Sequence, residues 1–176
     1  MENKSYSKGF ICLADPDAVT VAFTHSPGDH FSITIRTVQG SWSTEVILWQ
    51  LSNGIFKEDQ PKHGGFVNYN MGNTAIVETL TGNTIMLTSR RTPPYSLGQM
   101  TTFGLDPVMF DVIIAKGVNA PIAAYASVCP SIVQVDTPGV TQADMTLFAY
   151  RHRRKPMYPF ENVNRSDNAG NRTEMG

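Results

Sequence analysis

The clearest hydrophobic pattern in the chain runs through residues 111–139. Residues 112–115 are apolar and mostly β-branched, and the run is too short for an ordinary helix, so it predicts a strand buried on both faces. Asn119, followed two positions later by proline, predicts the start of a short helix that continues through residues 122–128. Residues 131–135 are again rich in β-branched side chains and predict a second strand. Together these segments predict a βαβ unit with parallel strands.

Three further elements are predicted nearer to the amino terminus. Residues 9–14 form an apolar run that predicts a buried strand. Asp15 and Pro16 then provide a helix N-cap and a first-turn proline, so a helix is expected to run through Phe23 and to end near residues 26–28. Residues 31–37 alternate between apolar and polar side chains, which is the period of a strand with one face in water.

Two hairpins are predicted in the middle of the chain. The apolar residues 46–51 are followed by an Asn-Gly turn at positions 53 and 54 and by a short strand at 55–57. Residues 74–80 and 84–88 are apolar runs of similar length on either side of a glycine-containing turn, and they predict the second hairpin.

The connecting segments carry loop and short-helix signals. Residues 57–65 are polar and predict an exposed loop. Ser96 is expected to cap a weak helix over residues 97–103, and residues 107–110 predict one more turn. Residues 141–144 resemble a capping box that opens a short helical turn.

These elements predict an α/β fold with a mixed sheet, built from the βαβ unit and the hairpins. At 176 residues the chain fits one domain that is large enough to bury a core. We place that domain at residues 9–161. Residues 1–8 are expected to form a flexible tail, and residues 162–176, rich in Asn, Arg, Ser, Gly and Glu, are expected to be disordered.

The net charge bears on possible binding partners, and the cysteines bear on the cellular compartment. The chain has 14 basic and 15 acidic residues and a formal net charge of -1, so no global field favours nucleic acid or an anionic membrane. The polar amino terminus predicts neither a secretory signal nor a membrane span. Cys12 and Cys129 lie far apart in the sequence, and we expect buried, reduced thiols and a cytoplasmic protein.

The histidines do not form a recognisable metal motif. His25 and His30 flank a turn, His63 lies in a polar loop, and His152 lies within a basic run that would repel a cation. The common zinc, redox, nucleophile and phosphate motifs are absent from the sequence. We therefore predict no metal ligand and no catalytic residue in this chain.

The candidate binding residues are polar side chains at predicted strand ends, where α/β sheets place their ligands. Arg90 and Arg91 follow a strand, and a guanidinium group there would bind a carboxylate through two hydrogen bonds. Lys116 ends the strand of the predicted βαβ unit close to Asn119. We predict that these four residues bind substrate, although solvated arginines and a lysine that merely leaves the core are equally compatible with the sequence.

Six sequence motifs follow one another along the chain. They are Met71-Gly-Asn-Thr-Ala-Ile-Val77, Leu87-Thr-Ser-Arg-Arg-Thr-Pro-Pro94, Gly104-Leu-Asp-Pro107, Val112-Ile-Ile-Ala-Lys-Gly117, Val135-Asp-Thr-Pro-Gly139 and Tyr150-Arg-His-Arg-Arg-Lys-Pro-Met-Tyr-Pro159. In this order and spacing they resemble the C-terminal domain of the microcystinase C (MlrC) family of metallopeptidase-like proteins. The resemblance extends from residue 15 to residue 161.

The resemblance implies a two-part enzyme of the microcystin-degradation type. A separate N-terminal α/β domain would hold the zinc ion, and this domain would form one wall of the substrate cleft. Zinc would then activate water for hydrolysis of a small or linear peptide. The metal-binding domain and the Asp- and Gly-rich loop that opens the family's C-terminal domain have no counterpart before Asp15. The resemblance thus gives no metal ligand to any residue of this chain, and the isolated chain is expected to be inactive.

Two other functions stay open at this point. The chain is alternatively a non-catalytic structural or interaction module that assembles with a separately encoded partner or with further copies of itself. A third and weaker interpretation is a stand-alone enzyme that uses Lys116 as a base or nucleophile, which would require burial to lower its pKa. The two-part enzyme and the interaction module both predict an exposed apolar surface where the partner docks.

Overall fold

The computed structural model of the chain describes residues 8–37, 40–61, 65–94, 96–117, 119–137 and 144–161. The chain divides into two compact units, Met1–Ile132 and Val133–Gly176. All strands that the structure describes lie in the first unit, so one α/β domain carries the sheet.

The first unit contains eight described strands and three short α-helices. In chain order they are β1 (Gly9–Ala14), α1 (Pro16–Ala22), β2 (His30–Thr37), β3 (Gly40–Ser52), β4 (Ile55–Lys57), β5 (Asn68–Asn70), β6 (Thr74–Thr79), β7 (Thr84–Thr88), α2 (Gly98–Thr101), β8 (Val112–Ile114) and α3 (Ala120–Tyr125). A 3-10 turn at Pro107–Met109 lies between α2 and β8.

Six strands form a mixed sheet in the order β2-β3-β6-β7-β1-β8, and β4 pairs with β5 in a separate two-stranded sheet. Strands β2, β3, β6 and β7 are joined in antiparallel pairs, whereas β1 is parallel to both β7 and β8. The connection from β7 to β8 carries α2 and joins two parallel strands that flank β1. The predicted mixed α/β class is confirmed.

One face of the sheet packs against α1. Strand β2 alternates between exposed and buried residues, as its sequence predicts, and directs Phe31, Ile33 and Ile35 into this core. Asp15 caps α1, because its Oδ1 accepts a hydrogen bond from the Ala18 amide at 3.0 Å. The buried residues of this cluster are Ala18, Val19, Ala22, Phe31, Ile33, Ile35, Val46, Leu48, Ala75, Val77, Ile85 and Leu87.

The opposite face is covered by α2, α3 and the β4–β5 sheet. Aromatic rings hold this layer together: Phe56 of β4 stacks on Tyr69 of β5 at 4.6 Å between ring centroids and meets Phe103 edge-on at 6.3 Å. The buried residues of this cluster are Phe10, Phe56, Tyr69, Met71, Ile76, Met86, Met100, Phe103, Leu105, Ala124 and Tyr125.

The predicted βαβ unit is only partly present. Strand β8 and helix α3 form, but the predicted strand at residues 131–135 does not, and its side chains are exposed. β-branched composition favours a strand only where a neighbouring strand is available for pairing. The prediction that residues 112–115 are buried on both faces is also wrong, because β8 lies at the edge of the sheet and Ile114 is 56% exposed. The central parallel strand is β1.

The predicted hairpin around the Asn-Gly turn is also wrong. Gly54 does adopt the left-handed region expected of such a turn, with φ of 65°. Strand β4 nevertheless pairs with β5 instead of folding back on β3, since the Phe56 ring is buried against Tyr69. Strand β3 also begins six residues earlier than predicted, at Gly40, and pairs with β2.

The remaining local predictions compare well with the structure. The bounds of β1 are as predicted, and β6 and β7 form the predicted hairpin. Helix α1 ends at Ala22, about four residues before its expected end near residues 26–28. Helix α2 is shorter than predicted. Thr141 of the predicted capping box, His63, residues 1–7 of the predicted tail and residues 162–176 lie outside the described residues.

The second unit contains a short 3-10 turn at Met145–Leu147 and a cluster of aromatic side chains. Asp144 caps the turn by accepting a hydrogen bond from the Thr146 amide at 2.9 Å. Arg153 forms two hydrogen bonds to the Glu161 carboxylate and lies 4.4 Å from the centre of the Phe160 ring. Within the described residues, no helix has both the length and the apolar composition needed to span a bilayer.

Candidate functional site

The carboxyl ends of the parallel strands form the part of the sheet where the candidate residues meet. The strand registers place Ser52 opposite Thr74, Thr74 opposite Thr88, and Thr88 opposite Ala14, so β3, β6, β7 and β1 all reach the same edge. In open α/β sheets this carboxyl edge is the usual place for a ligand. We refer to it below as the carboxyl edge.

All four sequence-predicted binding residues lie at the carboxyl edge. Arg90 and Arg91 follow β7, Lys116 follows β8, and Asn119 precedes α3. Strand β1 separates β7 from β8, so the two strands lie about 10 Å apart. Long cationic side chains from both strands can therefore reach one ligand that lies over the end of β1. Whether these residues bind a ligand stays a prediction.

The backbone at Arg90 is held firmly, while its side chain is exposed. The Arg90 amide donates to the Met71 carbonyl at 2.9 Å, and its carbonyl accepts from Thr88 Oγ1 at 3.0 Å. Gly72 allows this close approach, with φ of 68°, since a Cβ at this position would clash with Ser89 Oγ. A fixed backbone with an exposed guanidinium group is well suited to bind a carboxylate without a large loss of backbone entropy.

Lys116 and Asn119 are presented by a sharp turn after β8. Gly117 has φ of 145°, and a Cβ there would lie 3.0 Å from Pro121 Cδ, so the turn requires glycine. The Lys116 side chain is exposed and has no ion-pair partner among the residues that the structure describes. Asn119 occupies the N-cap position of α3 but makes no capping hydrogen bond with its side chain, so its amide is available to a ligand.

The acidic residues at this edge have structural roles. Asp15 is buried, and besides capping α1 its Oδ2 accepts a hydrogen bond from the Arg36 amide at 2.8 Å. Asp17 forms an ion pair with the Arg36 side chain in which both groups are about two-thirds exposed, with side-chain exposures of 67% and 70%. Exposed pairs of this kind contribute little to stability. With these carboxylates engaged, Arg90, Arg91 and Lys116 give the edge a cationic character.

The part of the chain that the structure describes offers no obvious zinc site. No three His, Cys, Asp or Glu side chains converge in these residues. His25 stacks on Phe31 with 3.9 Å between ring centroids, and its Nδ1 lies 3.1 Å from the Val21 carbonyl oxygen. The described donor groups therefore do not fit a zinc ion, and the chemistry that the family resemblance implies would need donors from elsewhere.

The two cysteines do not form a disulfide. Burial raises the pKa of the Cys12 thiol to about 12. Burial, followed by the proximity of the Cys12 and Cys129 thiols, raises the pKa of Tyr125 as well. A thiol with such a high pKa remains protonated at neutral pH, so Cys12 is a packing residue and a poor nucleophile.

Sequence reasoning missed a buried polar contact next to α2. Glu58, predicted to lie in an exposed loop, is only 8% exposed, and its Oε1 accepts hydrogen bonds from the Ser96 hydroxyl and the Gly98 amide. Gln99 is 1% exposed, and its Nε2 lies 3.5 Å from Cys12 Sγ. Its Oε1 has no partner within the described ranges of the chain. The predicted cap at Ser96 was the one local signal, and nothing in the sequence identifies Glu58 as its partner.

Two clefts among the described residues of the first unit could hold a ligand. One has a volume of about 50 Å³, and Lys8, Trp49 and Phe110 are among the residues that line it. The other has a volume of about 240 Å³, is more open to solvent and is lined by residues 101 and 104–106. Ligand pockets are usually larger, at about 300–1,000 Å³. Neither of these clefts is lined by the four candidate binding residues.

Comparison with known proteins gives a family match and a similarity of fold. The profile of the MlrC C-terminus family matches residues 1–152. The fold is similar to the crystal structure of a candidate metallopeptidase from Mesorhizobium sp. BNC1, with a TM-score of 0.76 and 19% sequence identity. The similarity covers 89% of this chain and 32% of that protein, so the chain spans about a third of its length. No curated protein matches the chain.

Proposed function

This chain belongs to the MlrC C-terminal family, and from that premise we propose that it completes the substrate cleft of a zinc-dependent peptide hydrolase. The metal-binding domain would be a separate part of the same assembly, and the isolated chain would be inactive. The substrate class is a small or linear peptide, as in microcystin degradation. Free thiols at Cys12 and Cys129 favour a reducing compartment, and a cytoplasmic location is part of the proposal.

The observation that carries the proposal is the exposed cationic carboxyl edge. Arg90 and Arg91 come from one parallel strand and Lys116 from another, and the topology directs all three to the same edge of the sheet. Guanidinium and ammonium groups in this arrangement bind carboxylates, which peptides carry at their ends and on acidic side chains. The similarity to a third of a candidate metallopeptidase supports a larger assembly in which this edge faces a catalytic domain.

In this assembly the present chain binds and orients substrate. Zinc held by the partner domain would supply Lewis-acid activation of water. Arg90 or Arg91 would bind a substrate carboxylate, with the neighbouring Gly72 turn fixing the backbone from which Arg90 projects. Accurate positioning of substrate against a catalytic group accounts for a large part of many rate enhancements. This chain would therefore affect the reaction without contributing a proton acceptor.

The test is reconstitution with a metal-binding domain. We expect the purified chain alone to bind no stoichiometric zinc and to hydrolyse no linear peptide. Mixed with the metal-binding domain of an MlrC-type protein, expressed as a separate chain, it should co-elute in gel filtration and support hydrolysis. In that assembly, Arg90→Ala with Arg91→Ala should raise KM about tenfold with a smaller effect on kcat, since one charge-assisted contact contributes about 1.5 kcal/mol.

The controls separate this proposal from its alternatives. Lys8→Ala removes a cation at the start of β1, the opposite edge of the sheet, and should leave KM unchanged. Hydrolysis and stoichiometric zinc in the chain alone would contradict the proposal and identify a self-sufficient enzyme. Co-elution without any hydrolysis would instead favour the non-catalytic interaction module.

A further inference from the structure

Strand β8 lies at one edge of the sheet. It is the last strand in the order β2-β3-β6-β7-β1-β8, and within the described residues it pairs only with β1. Every second amide and carbonyl group of an edge strand points away from its neighbour and is available to a further strand. The side chains of β8 are Val112, Ile113 and Ile114, and Ile114 is 56% exposed.

Strand β8 carries few of the devices that prevent strand addition, although its length of three residues is itself one of them. Edge strands in soluble proteins are commonly protected by charged residues, prolines or bulges. At the other edge of the same sheet, β2 carries polar side chains at alternate positions: His30, Ser32, Thr34 and Arg36. Strand β8 carries three apolar residues, and its pairing with β1 shows no register shift. The two edges therefore differ in chemistry, and β8 is the more apolar of the two.

A cation lies directly beyond the end of this strand. Lys116 follows β8 by two residues, and the glycine-dependent turn at Gly117 directs the chain away toward α3. The exposed ammonium group therefore lies at the carboxyl end of an open strand edge. An extended chain added in parallel to β8 would bring its own carboxyl end to this group.

We propose that β8 binds an extended peptide as an additional parallel strand, with the peptide's terminal carboxylate at Lys116. Strand addition of this kind uses main-chain hydrogen bonds for affinity and side-chain contacts for specificity. A β-branched peptide residue is favoured beside Ile114, because neighbouring β-branched side chains pack well on one face of a sheet. The proposal rests on the proposed function only for the choice of a peptide as the ligand class.

Four matched peptides test the main-chain contacts and the orientation. The probe is a soluble seven-residue peptide of alternating threonine and valine with a free carboxylate, titrated into the whole chain at low salt and followed by amide NMR shifts. Two derivatives are N-methylated on alternate sets of residues. Only one should lose binding, by about tenfold or more, since only every second amide faces the neighbouring strand. A C-terminal carboxamide should weaken binding about fivefold.

Variants of the chain test the location. Ile114→Asp should reduce binding at least tenfold, and Lys116→Gln should remove the difference between the carboxylate and carboxamide peptides. Ile55→Asp is a matched control, because Ile55 is also 56% exposed but belongs to β4 of the other sheet. Lys8→Gln is the control for charge at the opposite edge. Both control variants should bind the peptide with the same affinity as the unchanged chain.

The outcomes distinguish this inference from the proposed function. Equal binding of all N-methylated peptides, or shifts confined to residues away from β8, would overturn strand addition. Dimerisation in gel filtration that is abolished by Ile114→Asp, with no peptide binding, would also overturn it by assigning the edge to a second copy. If a reconstituted assembly hydrolyses peptides while Ile114→Asp leaves KM unchanged, the hydrolase proposal stands and the β8 site is wrong. If peptide binds at β8 but the reconstituted assembly hydrolyses no peptide, the β8 site stands and the hydrolase proposal is wrong.

Discussion

Single glycines at the carboxyl edge hold the candidate binding residues in place. Gly72→Ala should destabilise the fold by about 2–4 kcal/mol, because the residue would combine a positive φ with a clash against Ser89 Oγ. Gly104 has a similar φ of 77° but open space around it, so Gly104→Ala should lose only about 1 kcal/mol. Urea unfolding of both variants measures the difference. Equal losses would show that the Ser89 contact is unimportant.

Gln99 is a buried amide that the fold does not fully satisfy. Among the residues that the structure describes, its Oε1 has no hydrogen-bond partner, and its Nε2 meets only the sulfur atoms of Cys12 and Met71, at 3.5 and 3.4 Å. Gln99→Met replaces it with an apolar side chain of similar length, so stability should stay within about 1 kcal/mol of the original or increase. Gln99→Ala, which leaves a cavity, should lose about 2 kcal/mol or more. A larger loss for Met than for Ala would indicate an unrecognised partner of the amide.

The Arg153–Glu161 pair predicts a measurable pH dependence in the second unit. Hydrogen bonds from Arg153, then from the Met157 amide at 3.0 Å, lower the pKa of Glu161 from 4.5 to about 2. A carboxylate with a lowered pKa stabilises the folded state above its unfolded value, and this contribution is lost as the pH falls from 4.5 through 2. Carboxyl NMR titration should show the low value, and Arg153→Gln should move it toward 4.5. An unchanged value in that variant would contradict the assignment to Arg153.

At the scale of elements, a buried carboxylate links the β4–β5 sheet to α2. Glu58 follows β4, and Ser96 and Gly98 at the start of α2 donate to its Oε1. Glu58→Gln or Ser96→Ala should each cost about 1–3 kcal/mol, and the double variant should lose less than the sum because the two residues share one contact. Asp59→Asn, at the exposed neighbouring position, is the control for a change of charge. Additive losses would show that the contact does not couple the two elements.

Elements determined by local signals were predictable from the sequence. The Asp15–Pro16 start of α1 needs only an N-cap and a first-turn proline, and both are used as expected. The β6–β7 hairpin has a glycine turn between strands of matched length, and the registers confirm the pairing. In both elements the residues that specify the structure are close together in the sequence, so no knowledge of distant contacts was required.

Elements determined by distant partners were not predictable from the sequence. Strand β4 leaves the Asn-Gly turn to pair with β5, because the Phe56 ring is buried against Tyr69. Residues 131–135 have the composition of a strand but pair with no strand in the part of the chain that the structure describes. The first part of β3 contains few apolar residues, so its pairing with β2 leaves little periodic signal. In each case the choice of partner, and not the local propensity, decides the structure.

At the scale of the whole molecule, the candidate site also combines features that local sequence signals predict with features that depend on distant partners. Arg90, Arg91, Lys116 and Asn119 were identified as polar residues at strand ends, and the parallel arrangement of β7, β1 and β8 brings all four to one edge. That β8 would be the open edge of the sheet did not follow from its apolar sequence, which suggested a buried centre. An apolar run can form a strand inside the sheet or a strand at its edge, and only the strand order distinguishes these two positions.

The division into two units predicts that the first unit folds alone. Both hydrophobic clusters are formed by residues between Phe10 and Cys129, and every described strand ends before Ile132. A chain that ends at Ile132 should therefore keep the β-sheet circular dichroism spectrum and unfold in urea as one cooperative transition, with an m value of about 1–3 kcal/mol/M. Deleting residues 1–14 is the contrasting variant, because it removes β1 from between β7 and β8 and should abolish folding. If the chain ending at Ile132 loses its cooperative transition, the second unit is required for the stability of the sheet, and peptide binding at β8 must be measured only in the complete chain.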